Sequence, residues 1–138
     1  MNKEKEALVN NFRKCSDVIE ETYEFMLAYA AQGRIDEDPS SSPNIRELLQ
    51  KTKDALEQII NKFELEDGII LDNFSNDFFK IFNLLAEDAE KSLKVVMLAL
   101  SCKPITSQLV DNINASIHIR TLLTDIFLVD EYLKTKNH

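Results

Sequence analysis

The chain has 138 residues, 24 acidic against 16 basic, for a net charge of −8. Nucleic acids and anionic membrane surfaces take their affinity from Lys and Arg, so this balance argues against both as partners. An apolar content of 44% is too high for a disordered chain, and 2 Gly with 3 Pro are too few for a sheet protein with many tight turns.

The first predicted helix spans residues 3–32. Leu8, Phe12, Cys15, Ile19, Met26 and Ala30 form one stripe at helical spacing, with Thr22 in its gap. Val18, Tyr23, Phe25 and Tyr29 give the same helix a modest second face. Gly33 is the stop, since Gly tolerates the left-handed conformation that ends helices. Residues 34–43 form the clearest loop, with three acids, two Pro and a run of Ser.

Ser42-Pro43 is expected to open the second helix, Ser as cap and Pro as first helical residue. Ile45, Leu49, Leu56, Ile60 and Phe63 continue one face, and the helix ends within 64–68. The third helix starts at Asp72 or Ser75, either of which can cap. Its stripe is Phe78, Phe82, Leu85, Ala89, Leu93, Val96 and Leu100, widened by Ile81, Leu84, Val95 and Leu98. Ile69-Ile70-Leu71 precedes it and can pack in several ways. Lys103-Pro104 separates the third helix from a fourth over residues 105–134, beyond which 135–138 are expected to fray.

The length suits one domain spanning 1–138. Four amphipathic helices with short loops predict an all-α fold, an antiparallel up-down four-helix bundle with long helices. Cys15 and Cys102 then fall at opposite ends of the bundle, too far apart to bridge, and act as small buried hydrophobes.

The fourth helix carries two apolar seams. Leu109, Ile113, Leu123 and Phe127 form one; Ile119, Leu122, Ile126, Val129 and Leu133 form the other. At 3.6 residues per turn the seams lie roughly 120° apart. One bundle core needs only one seam, so the second needs a further partner: another chain, which makes it the expected interface with Leu84 and Leu98 as candidate neighbours, or helix one or the loop around Ile69 covering a more deeply set fourth helix. This C-terminal segment is also the neutral one. Residues 103–138 hold four acids and four bases, against nine and five in 34–67. Neutral apolar faces associate more readily than charged ones.

Arg120 sits near the centre of the first seam, flanked by Ser116 and Thr124. A guanidinium there needs an acid or must bend outward. Asp88, at the edge of the third helix's stripe, is the candidate partner. The pair is the candidate buried polar contact or ligand point.

Glu20-Glu21-Thr22-Tyr23-Glu24 spells EExxE. The pentad resembles a metal-binding element of the all-α nucleoside triphosphate pyrophosphohydrolases of the MazG type. The resemblance implies Mg²⁺ held by carboxylates on neighbouring helices, with Glu20, Glu21 and Glu24 as ligands. It covers five residues. The companion ExxD element departs from the pattern: Glu64 and Asp67 have the spacing but fall at a helix end, and Glu87 pairs at that spacing with Glu90.

His118 and His138 are too few for a His-rich metal cluster or a Ser-His-Asp set, and Gly33 and Gly68 cannot form a phosphate-cradling loop. The sequence therefore leads to a non-catalytic, adaptor- or chaperone-like interaction module without cofactor. Its partner is a protein, a second copy of the chain included, bound through the C-terminal helix. Two other classes stay open: an acidic inhibitor or immunity-type protein that binds a basic target through 34–67, and the Mg²⁺-dependent pyrophosphohydrolase. The longest apolar run, 95–100, cannot span a bilayer, and no apolar leader follows the charged start, so a cytoplasmic setting is expected.

Overall fold

A computed structural model describes residues 3–135, whose regular elements are all helices, with no strand among them. Helix α1 spans Lys3–Ala30 and ends before Gly33, whose φ of +63° supplies the expected left-handed stop. The loop that follows is stitched to the far side of the chain. The Arg46 guanidinium donates to the Glu37 carboxylate at 2.7 and 3.0 Å and to the carbonyls of Leu100 and Cys102 at 2.8 and 2.7 Å. Glu37 also accepts from the Ile105 N–H, and Ser107 donates to the Tyr29 carbonyl.

Helix α2 spans Ile45–Ile60. Its cap is Asn44, two residues later than Ser42-Pro43 had suggested. The Asn44 side chain accepts from the Glu47 N–H at 2.9 Å and donates back to the Glu47 carboxylate at 3.2 Å. Leu48 and Ile59 join its core face, while Ile60 and Phe63 are only partly buried.

Residues 62–64 form a tight turn with φ of +50°, +56° and +63°, a strained conformation for Lys, Phe and Glu. The Lys62 ammonium holds it, 2.7 Å from Asp67 and over the Phe79 ring. A short helix, α3 (Asp67–Asn73), carries Ile69-Ile70-Leu71 and buries Ile70. Helix α4 spans Asn76–Ser101, capped by Ser75, whose hydroxyl accepts from the Phe78 N–H at 3.1 Å. Phe74, Phe78, Phe82 and Tyr132 stack in a row between α4 and the chain's last helix.

The expected fourth helix is two helices. Helix α5 (Ser107–Asn114) starts at a Thr106 cap and stops at Ala115. Helix α6 (Ile117–Thr135) begins after Ser116, whose hydroxyl accepts from the His118 N–H at 3.2 Å. A capping Ser ends one helix and starts another, so residues on either side do not share one helical phase. Of the expected frayed tail, 136–138 lie outside the described residues.

Helix α1 packs on α2 and α5, α2 on α4, and α4 on α6, whereas α1 and α6 barely meet. The result is an all-helical bundle of six helices among the described residues, not four long rods.

The break corrects the two-seam reading. Ile119, Leu122, Ile126, Val129 and Leu133 are all buried within the chain, Ile126 and Val129 completely. They are the seam that closes the core against α4, at roughly 1.5–3 kcal/mol for each large side chain removed from water. The supposed core seam is the one that reaches the surface. Ile113 and Leu123 are buried, Leu109 is half-buried, and Phe127 is 53% exposed. The surplus apolar side chain therefore lies one residue away, about 100° around the helix.

Candidate functional site

The sparse contact between α1 and α6 leaves a groove of about 500 Å³. Glu20, Tyr23 and Glu24 line it from α1; Arg120, Leu123, Thr124 and Phe127 line it from α6. Both sets are spaced three and four residues apart, so each is one continuous helix face. Leu123, Tyr23 and Phe127 make the apolar floor. Phe127 leaves half its surface in water there.

The rim is acidic. The Glu20 carboxyl is pushed up from its ordinary value, first by burial and then by Asp17, Asp130 and Glu24, with Lys134 opposing. A carboxylate crowded by three others favours an incoming cation. Arg120 is the basic point of the lining. It is exposed and forms no ion pair with a described residue.

This placement corrects the Arg120–Asp88 pair. Arg120 faces the groove, while Asp88 faces Asp125 across the α4–α6 interface. Asp88 and Asp125 are 7% and 4% exposed, and each has a carboxyl oxygen with no hydrogen-bond partner. Burial, then the contact with Asp88, pushes the Asp125 carboxyl up to about 7. Asp125 stands outside every motif of the sequence. The signal available was its position at i−4 from Val129 and i+3 from Leu122, beside the buried seam.

The acids of the EExxE pentad part company. Glu20 and Glu24 reach the groove, whereas Glu21 is exposed and outside its lining, about 100° around the helix from Glu20. The helix opposite presents Arg120, and among the described residues no three His, Cys, Asp or Glu side chains gather as a cation set. Two carboxylates facing a guanidinium do not fit the Mg²⁺ site that the resemblance implies.

Leu84 and Leu98 are exposed at 42% and 63%, but Glu87, Lys91 and Lys94 lie between them on the same face of α4, so they form no continuous patch. Three of the six loop acids have side-chain partners within the chain: Glu37 in Arg46, Asp38 in Ser40, and Asp67 in Lys62. Cys15 is buried, its thiol pushed up to about 11 by burial, and Cys102 is half-buried; neither is bridged. His118 is exposed. No described helix is long and apolar enough to cross a membrane.

No protein-family model, curated protein or solved structure matches this chain.

Proposed function

We propose that this chain is a non-catalytic protein-interaction module that takes a basic amphipathic helix of another protein into the α1–α6 groove. The observation that carries this reading is an apolar floor with a half-exposed Phe127, bordered by the Glu20 and Glu24 carboxylates. Helix-in-groove recognition needs an apolar trough for side chains spaced three and four apart, and flanking charge to fix orientation. The volume accommodates a few anchoring side chains. Asp17 and Asp130 add to the acidic rim, and the net charge of −8 steers a cationic partner toward it.

The reading keeps the expected interaction role and takes its basic partner from the second class left open by the sequence. It moves the contact from the buried seam, and from residues 34–67, to the groove. Self-association through Ile126 and its neighbours has no exposed surface to use. The helices stand as four corners, α1, α2, α4 and the α5–α6 pair, alternating in direction, and the setting is cytoplasmic.

A short amphipathic peptide of Leu and Lys, followed by fluorescence anisotropy, tests this reading. Phe127→Ala should weaken binding about tenfold or more, as loss of a buried aromatic anchor does. Glu20→Gln with Glu24→Gln should weaken it less and flatten its salt dependence. Equal binding by the wild type and both variants contradicts the proposal.

A further inference from the structure

Asp88 and Asp125 belong to no part of the groove. They meet where α4 and α6 pack, each more than nine-tenths buried, and each with one carboxyl oxygen that no described group satisfies. Two ionised carboxylates cannot share a dry interface without a cation or a proton between them. Basic groups do not answer the pair. Asp88 is the one titratable group acting on Asp125 from any of the helices packed there. On α4 itself, Glu87 and Lys91 are exposed; on α6, His118, Arg120 and Glu131 are exposed. None of these forms an ion pair with either Asp. From α1, α2, α3 and α5 no charged side chain contributes. A cation is a poor fit too, since no third ligating side chain stands nearby among the described residues.

We propose that a single proton, carried by Asp125 and donated to Asp88, latches α6 onto α4 and makes the docking of α6 sensitive to pH. With the proton present, the contact is a carboxyl-to-carboxylate hydrogen bond, short and strong in a medium of low dielectric. When it leaves, two like charges face each other where water cannot screen them. One turn after Asp88 on α4, Ser92 donates to the His118 carbonyl at 3.1 Å and holds the start of α6. Opening is therefore expected in the middle and end of α6, around Asp125, rather than at Ile117.

The sign follows from linkage. Asp125 in the folded chain holds its proton to about pH 7, against about 3.8 for an ordinary Asp, so the folded chain binds the extra proton between those values. Stability from the latch is complete below the ordinary value and is lost as pH rises through the folded one.

The test is thermal unfolding from about pH 5 to about pH 8.5, in buffer with a chelator so that no cation replaces the proton. The wild type should lose several degrees of Tm between about pH 5 and pH 7.5 and then level off. Asp125→Asn, whose amide N–H donates to Asp88 at every pH, should show a flat profile over that span and a higher Tm than the wild type above pH 7.5. A second readout uses the wild type alone. Carbon-13 NMR of the Asp carboxyls should show one buried Asp titrating near neutrality. Parallel Tm profiles for wild type and Asp125→Asn overturn the latch. So does an Asp125 carboxyl that titrates in the ordinary range, even if the variant fails to fold.

Discussion

Ile126 and Phe127 are adjacent in sequence and opposite in consequence. Ile126 is fully buried against the α4 side of the core, whereas Phe127 is 53% exposed in the groove. Ile126→Ala removes every carbon beyond Cβ from a packed site. At about 0.8 kcal/mol per carbon group, with a cavity term added, the cost is about 3–4 kcal/mol. That is a large share of the roughly 5–15 kcal/mol that holds a domain folded. For a chain of 138 residues it lowers Tm by about 10 °C. Phe127→Ala strips a larger side chain from a half-solvated site and should cost about 1 kcal/mol or less. Urea unfolding followed by circular dichroism measures both. The reasoning is refuted if Phe127→Ala destabilises the fold as much as Ile126→Ala. It is also refuted if Ile126→Glu yields a well-folded monomer from an oligomeric wild type, the outcome expected of an exposed seam.

Three further substitutions probe other parts of the frame. Thr52 donates to Thr22 at 2.8 Å, and Thr22 donates to the Leu48 carbonyl, all out of water. Thr22→Val should cost about 1–3 kcal/mol in chemical denaturation, because it leaves the Thr52 hydroxyl without its acceptor. Glu37 is held below the usual carboxylate range, chiefly by the Arg46 guanidinium and further by the Ile105 N–H, with burial opposing. Its folded value is depressed, so the pair's stabilisation is present above the ordinary carboxylate range and lost as pH falls through the folded value. Glu37→Gln should therefore lower Tm at neutral pH and make the acid limb of the Tm profile shallower. Ser75→Ala removes the cap of α4 and should cost about 1 kcal/mol by the same assay; an unchanged midpoint would show that the cap contributes nothing.

The all-helical class was legible because periodicity reports which residues share a face, and few Gly or Pro interrupt it. The stripe from Leu8 to Met26 on α1 emerges as the spacing predicted, and of the two caps open for α4, Asp72 and Ser75, the chain uses Ser75. Periodicity fails where helical phase is reset. Ser116 is a good cap inside a pattern that reads as continuous, and nothing local says that the chain uses it. Across that break Leu109 and Ile113 cannot be aligned with Leu123 and Phe127 by counting residues. The identity of the inner seam was lost with that alignment. The seven-residue α3 was also invisible, since Ile69-Ile70-Leu71 is too short to show a period, and the strained turn at 62–64 has no sequence signature in Lys, Phe and Glu. Of the groove, Glu20, Glu24, Arg120 and Phe127 each stand out in the sequence for a separate reason. Their convergence is a tertiary fact, set by α6 packing on α4 rather than on α1. The Asp88–Asp125 contact is likewise tertiary: one buried carboxyl is legible at a stripe's edge, but a second one opposite it is not.

The direct measurement is a map of where a cationic amphipathic helix touches the protein. The isotope-labelled chain, titrated with the Leu–Lys peptide, should show amide shifts concentrated at Glu20, Tyr23, Glu24, Leu123, Thr124 and Phe127, and Phe127→Lys should abolish them. Shifts concentrated on the outer face of α4 around Leu98, or spread evenly over the acidic surface and unchanged by Phe127→Lys, would contradict the assignment of the α1–α6 groove as the binding site.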